Sequence, residues 1–422
     1  MTPEPADLLV VHAAELATLA GPAPRAGPAL RDVGAVPDGA VAVRGERIAA
    51  VGPTPEIERR FRAPRTIDAT GRLVTPGLID AHTHPVFVTL RAAEFEMRLS
   101  GRTYQEIAAA GGGIRSTVAG VRAIDDESLA RAVEARLRRF LAEGTTTLEA
   151  KSGYGLTVAD ELRSLRAIRE AARRVPVSVA PTLLGAHDVP PEFREDREGY
   201  VRLVAEEMVP AAAREGLAEF CDAFVERGFF TVEDGRALFR AARAHGLRPR
   251  LHADEFSDCG GAALAAEVGA ISADHLLHVS PAGIEALRRA GVIPVLLPGT
   301  HFSLGLPSGA PARRMIEAGL PVALATDCNP GTSLTESLPM VMTLACVLLR
   351  MTPAEALAAV TVNAAAALAR AHDRGRLEPG LRADLVVWDV PDHRALPYYY
   401  GVGHAETVVV AGRTAWERRP HA

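Results

Sequence analysis

The chain has few cysteines, no concentrated basic charge and no long apolar run, and each shortage excludes a class of protein. Its four cysteines, Cys221, Cys259, Cys328 and Cys346, are scattered and form no C-x-x-C pair. Neither a disulfide framework nor a cysteine zinc site is expected, and a reducing compartment, the cytoplasm, is the natural setting. Net charge is −5 with a pI near 6.3, and no basic block or arginine stripe occurs. That argues against nucleic acid as a partner and leaves a small-molecule substrate as the default. The longest apolar run, Leu338 to Leu349, is about a dozen residues, too short for a bilayer, and reads as a buried helix. Glu4, Asp7 and Glu15 stand near the start with no basic stretch before the apolar residues, which is unlike a signal peptide. Low-complexity segments and short solenoid repeats are also missing.

What is present is the composition of an ordinary enzyme, 48% hydrophobic and 23% charged over 422 residues. That length accommodates one (β/α)8 barrel of about 250 residues plus a small satellite. The two ends read as β structure. Gly39 to Gly52 has the pattern of a hairpin, and Ala383–Asp389 and Thr407–Arg413 read as strands. Neither end could bury a core alone, so residues 1–72 and 376–422 are expected to meet as one composite β-sandwich domain. Residues 73–375 would then form the barrel.

Eight short apolar runs separated by alanine-rich amphipathic helices support that division. They are Leu78–Asp80, Thr145–Lys151, Ser178–His187, Cys221–Val225, Arg248–Asp254, Ile271–His275, Val292–Leu297 and Pro321–Asp327. Helices are predicted at Asp126–Glu143 and Val158–Arg174 from apolar spacings near three and four. Parallel strands need helical crossovers and both faces covered, so eight such units predict an α/β fold with a TIM-like barrel.

Reacting groups in such barrels lie at the C-terminal ends of the strands. The first run ends in Asp80-Ala-His82-Thr-His84, where residues two apart can aim at one point. Alone, that H-x-H is a weak signal. The fifth run adds His252-Ala-Asp-Glu255, the sixth Asp274-His275 and the eighth Asp327, so four strands deliver His and Asp to one rim. His82, His84, His252 and Asp327 are the expected ligands of one divalent metal. Three imidazoles and a carboxylate suit zinc or iron and are too nitrogen-rich for magnesium or calcium. A second metal would need a bridging ligand, commonly a modified lysine ending strand four. That strand contains none, and Lys151 ends strand two instead. Cys328 reads as a small packed residue, and His301 as structural, although it follows strand seven.

Pro76-Gly-Leu-Ile-Asp-Ala-His-Thr-His84 resembles the opening metal motif of the amidohydrolase superfamily. Lys151-Ser-Gly-Tyr-Gly-Leu156, His252-Ala-Asp-Glu-Phe256 and Ala325-Thr-Asp-Cys-Asn-Pro-Gly-Thr-Ser333 are similar, within it, to the imidazolonepropionase family of histidine breakdown. The resemblance spans nearly the whole chain, and the second and fourth stretches are far more specific than H-x-H. It implies hydrolysis of 4-imidazolone-5-propanoate to N-formimidoyl-L-glutamate, and by family analogy a homodimer.

Such a substrate needs a polarised water, a proton shuttle, oxyanion stabilisation and a cation for its propionate. With the resemblance in hand, Glu255 is expected to carry the proton from water to the leaving ring nitrogen. His275 would orient the water or donate to the oxyanion. Arg91 is the expected grip on the propionate, since a guanidinium matches a carboxylate in two parallel hydrogen bonds. Tyr154 and His187 offer donors to ring or tail, and Asn329, Gly331 and Thr332 could read the ring nitrogens. Tyr104 is a weaker candidate, and Gly111 to Gly113 reads as a lid or a turn. Another cyclic amidohydrolase or a nucleobase deaminase would share the metal motifs without a propionate grip. A non-catalytic scaffold should have lost at least one of the motif residues, and none is missing.

Overall fold

The structure is a computed structural model describing residues 3–102, 106 and 112–419, so Tyr104 and Gly111 lie outside the described residues. Eight parallel strands follow one another in sequence order around a barrel. They are β1 (Leu78–Asp80), β2 (Thr145–Lys151), β3 (Ser178–Ala186), β4 (Phe220–Val225), β5 (Arg248–Ala253), β6 (Ser272–His275), β7 (Ile293–Leu296) and β8 (Ala323–Leu324).

Between them stand helices whose starts are readable from the sequence. Asp125 accepts from Ser128 N–H to cap Asp126–Ala142, and Thr157 accepts from Asp160 N–H to cap Val158–Arg174. The first buries Leu129, Val133, Leu137 and Phe140, the three-and-four spacing of one apolar stripe. The apolar run after strand eight forms helix Leu338–Leu348, which buries Leu338, Val341, Met342 and Ala345 while Val347 and Leu348 are exposed.

Strand eight is shorter than its expected span, Pro321–Asp327, and that shortening forms the seam of the barrel. Asp327, at φ 53°, turns out of extended geometry. The barrel then closes past the strand ends, where Asp327 N–H donates to the His82 carbonyl and His84 N–H to the Cys328 carbonyl (3.0 Å each). The segments that stitch β1 to β8 are therefore those carrying the expected metal ligands.

Both chain ends build a second sheet, as expected. Strands Leu8–Ala17, Ala35–Arg44 and Arg47–Pro53 come from the start of the chain, and Leu385–Trp388, Ala405–Val410 and Arg413–Glu417 from the end. They hydrogen-bond as one continuous sheet with two apolar faces. Leu8, Val10 and Leu16 face one cluster while Leu9 and Val11 face another, the period-two alternation of a strand covered on both sides. Strand Leu73–Pro76 also belongs here, because it pairs antiparallel with Leu385–Trp388. The chain thus enters the barrel at Gly77, beyond the expected boundary at residue 72. Trp388 joins the two units: its Nε1–H donates to Thr75 Oγ1 (2.8 Å) within the sheet, while its ring lies against Gly144 of the barrel. A Cβ at Gly144 would stand 2.4 Å from Trp388 Cη2, and its φ of +89° also favours glycine.

Candidate metal centre

The barrel interior is layered from apolar to charged. Ile79, Phe220, Ile293, Val295 and Ala323 cluster with helix Val362–Ala367. Arg250 lies with its guanidinium 5.4 Å from the Phe220 ring and is fully buried. Two residues further along β5 comes His252.

His252, His82, His84 and Asp327 converge. His84 Nε2 lies 3.2 Å from His82 Nε2 and 3.4 Å from His252 Nε2. Asp327 Oδ1 is 3.5 Å from His82 Nε2 and 3.4 Å from His84 Nε2. A tetrahedral ion with bonds of about 2.0–2.1 Å sets its ligand atoms about 3.3–3.4 Å apart. The second oxygen of Asp327 accepts from Thr300 Oγ1, which leaves Oδ1 for the shared point.

Proton bookkeeping favours a cation there. His82 Nδ1 donates to Asp274 Oδ2 (2.6 Å) and His252 Nδ1 to Asp222 Oδ1 (3.0 Å), so each Nε2 keeps a lone pair. Lone pairs aimed at one point and at an ionised carboxylate repel unless positive charge lies between them. Burial and the neighbouring imidazoles hold His84 down to about 4 despite the opposing carboxylate of Asp327. Burial would raise Asp327, but the close imidazoles of His82 and His84 outweigh it and hold the acid well below the ordinary carboxylate range. Four buried carboxylates, Glu149, Asp222, Asp274 and Asp327, face two buried cations, Lys151 and Arg250. The donor set fits the metal expected from the sequence.

His275 and Glu255 stand beside this point, with His275 Nε2 3.6 Å from Glu255 Oε2. Burial keeps His275 neutral, well below the ordinary histidine range. Burial, reinforced by the charges of Asp327 and Glu226, pushes Glu255 well above the ordinary carboxylate range, as suits a group that must hold a proton. His275 adopts φ 74°, a left-handed conformation uncommon for a non-glycine residue. Glu226 fixes the loop after Glu255 by accepting from Phe256 N–H (2.8 Å), Ser257 N–H (3.2 Å) and the Ser257 hydroxyl.

A cavity of about 680 Å³ opens over the centre and is lined by His84, Arg91, Tyr154, His187, His252, Glu255, His275, Asp327, Asn329 and Thr332. His187 donates through Nδ1 to the Gly153 carbonyl (2.8 Å), leaving Nε2 uncommitted, and it stacks on His84 with ring centroids 5.2 Å apart. Burial raises Tyr154 above its ordinary value, so the phenol keeps its proton and can donate. Arg91 is tied to Glu94 through Nε and Nη2 (2.8 and 2.7 Å), and Glu94 also accepts from Gly113 N–H (3.0 Å).

Gly331 does not offer its N–H to a ligand. That group and Thr332 N–H both donate to Asn329 Oδ1 (2.8 Å each), the local turn an asparagine side chain makes with the backbone two and three residues on. His301 Nε2 bonds the Leu306 carbonyl (2.8 Å), and Cys328 is fully buried.

Several site residues carry no role in the sequence reading: Asp274, placed at the rim but not behind His82, Asp222 behind His252, Thr300 on Asp327, and Arg98, Arg102 and Arg227 around the cavity. The signal for the first two was a charge at an inward-facing position of a barrel strand, where apolar residues are the rule.

A (β/α)8 barrel carrying this centre at its C-terminal rim defines an amidohydrolase, and residues 73–415 match the amidohydrolase family model. Residues 39–63 match the model of the imidazolonepropionase-like composite domain of bacteria. An imidazolonepropionase of Geobacillus kaustophilus (strain HTA426) is 52% identical, covering 96% of this chain and 97% of its own. One of Solibacter usitatus (strain Ellin6076) is 50% identical, covering 98% and 99%. The chain belongs to the imidazolonepropionase family. Solved structures share the fold at low identity. A zinc-bound adenosine deaminase of Xanthomonas campestris has a TM-score of 0.70 at 21% identity, covering 98% of this chain and 93% of that one. Escherichia coli guanine deaminase reaches 0.73 at 16% identity, covering 97% and 100%.

Proposed function

We propose that the chain hydrolyses the ring amide of 4-imidazolone-5-propanoate to N-formimidoyl-L-glutamate, using one divalent ion, zinc or iron, held by His82, His84, His252 and Asp327. The observation that carries this reading is that His82, His84, His252 and Asp327 converge at a cavity whose wall carries Arg91, Arg98, Arg102 and Arg227 beside Glu94. A bound divalent ion lowers the pKa of water and polarises a carbonyl oxygen. Glu255 takes the proton of the attacking water and passes it to the ring nitrogen as the C–N bond breaks. His275, neutral and 3.6 Å from Glu255, donates to the oxygen that becomes anionic. Tyr154 donates to ring or tail, His187 offers Nε2 as an acceptor, and Asn329 and Thr332 border the ring. Gly331 serves by lacking a side chain. The composite β domain, residues 1–72 and 376–422 with strand Leu73–Pro76 added, braces the barrel. Four free cysteines agree with a cytoplasmic setting, and a homodimer is the assembly the family resemblance implies. No helix among the described residues is long and apolar enough to cross a membrane.

The substrate part of the reading is tested by comparing kcat/KM for wild type and Arg91→Ala on the acid and on its carboxamide analogue. If Arg91 pairs with the propionate, the amide is poor for wild type and hardly worse for the variant. Losses that simply multiply mean that Arg91 does not touch the carboxylate. Hydrogen bonds to charged groups are worth about 1.5–3 kcal/mol net, or about ten- to hundred-fold, mostly in KM. Arg91→Lys restores only part, since an ammonium cannot make the paired bonds.

A further inference from the structure

Behind the imidazoles lies a lysine with no assigned part in the chemistry. Lys151, the last residue of β2, is fully buried, and its Nζ donates to Asp222 Oδ2 (2.7 Å) and Glu149 Oε1 (2.9 Å) and lies 3.9 Å from Asp274 Oδ2. Asp222 uses its two oxygens differently. Oδ2 takes the ammonium, while Oδ1 accepts from His252 Nδ1 and from His252 N–H (3.2 Å). Asp274 receives His82 Nδ1 and Arg250 Nη2 (3.2 Å) on one oxygen. Without the ammonium, three carboxylates would share a dry interior with Arg250 alone, and a buried charge without a partner is strongly unfavourable.

We propose that Lys151 is a built-in cation that keeps Asp222 and Asp274 in place as acceptors for His252 and His82, and so sets the affinity of the centre for its ion. Two electrostatic effects oppose each other here. An ammonium repels the divalent ion directly, yet it also secures the carboxylates that orient and strengthen the ligating imidazoles. Asp222 stands between them, at hydrogen-bond distance from both Lys151 and His252, so the second effect prevails. Lys151 is a positioning residue, acting through Asp222. It also fills the place between these carboxylates that a second cation would take, consistent with a mononuclear centre.

The inference rests on the metal reading and not on the substrate. The test is zinc affinity, measured on the full chain by competition with a chelator, for wild type, Lys151→Met, Asp222→Asn and the double variant. Methionine keeps the length of the side chain and removes its charge, while asparagine keeps an acceptor for His252 Nδ1. Lys151→Met is expected to weaken zinc binding about ten- to hundred-fold, the usual effect of losing an outer-shell partner. The double variant is expected to recover much of that loss, because it removes one charge of each sign. Unchanged or tighter binding in Lys151→Met overturns the proposal, as does a loss that Asp222→Asn leaves uncorrected. If Lys151→Met does not fold but the double variant folds and binds zinc, the same coupling is read on stability and the proposal stands. If neither folds, Lys151 is needed for more than its charge and the proposal fails. A wild type that binds no zinc overturns the metal reading as well.

Discussion

The Cα of Gly331 lies against the guanidinium of Arg91, so that a Cβ there would stand 2.4 Å from Nη1 and 3.0 Å from Cζ. On its other side the Gly331 carbonyl accepts from Arg98 Nη1 (2.8 Å). The loop after strand eight and helix Ala92–Leu99, which Arg91 precedes and which carries Arg98, therefore fix the cationic wall of the cavity together.

Gly331→Ala should accordingly act through Arg91. The new methyl group must displace a guanidinium already held by Glu94, since the backbone of the loop is tied to Asn329. KM is expected to rise about ten-fold, within the range of a lost hydrogen bond to a charged group, while metal content stays at the wild-type level. Steady-state kinetics and elemental analysis check this together. An unchanged KM would mean that the position of Arg91 does not matter for binding.

Glu255→Gln keeps the shape of the side chain and removes its basicity. Turnover should drop about 10²–10⁴-fold with metal retained. His252→Ala should lose both, because one imidazole of the set is gone. Near-wild-type kcat in a metal-bearing Glu255→Gln would reassign the proton transfer, with His275 the next candidate.

Most of the barrel was legible in the chain, because β1 to β7 and their helices follow simple periodicities and caps. Strand eight was not, since Asp327 takes a left-handed conformation that pattern alone does not announce. The convergence of His82, His84, His252 and Asp327 was legible because each stands at or just beyond the C-terminal end of an apolar run. The contacts of Asp222 and Asp274 with the imidazoles were not, because an acid in a strand looks the same whether it meets solvent or the back of a histidine ring. Only the closed barrel distinguishes the two. That Leu73–Pro76 falls on the β-domain side of the boundary was hidden for a similar reason: its partner, Leu385–Trp388, lies far away in sequence.

Removal of the ion should destabilise the fold at the seam, where β1 and β8 are joined beside the ligands. An ion bound only by the native state stabilises by mass action. Chelator treatment is expected to lower Tm by several degrees, and one equivalent of zinc or iron per chain to restore it. A need for two equivalents would contradict the mononuclear count.

Acid stability has a separate origin at Glu355, in the capping box of helix Pro353–Ala359. Burial opposes its ionisation, but Arg313 (2.9 Å), Thr352 N–H (2.8 Å) and Arg31 (3.0 Å) outweigh it and hold the acid at about 2 instead of 4.5. A depressed folded value contributes stability that is present above the ordinary range and lost as pH falls from about 4.5 to about 2. Glu355→Gln should lower Tm at neutral pH, flatten its decline across that acid window, and leave kcat unchanged. A wild-type slope in the variant would move the acid sensitivity elsewhere.

The most direct test of the central claim is conversion of 4-imidazolone-5-propanoate by the purified, metal-replete chain, followed as loss of the substrate's ultraviolet absorbance and by identification of the product. The account predicts N-formimidoyl-L-glutamate, formed at a rate that disappears on metal removal and in His252→Ala and returns when metal is restored to the wild type. Absorbance loss no faster than in buffer, from protein carrying one ion per chain, would contradict it.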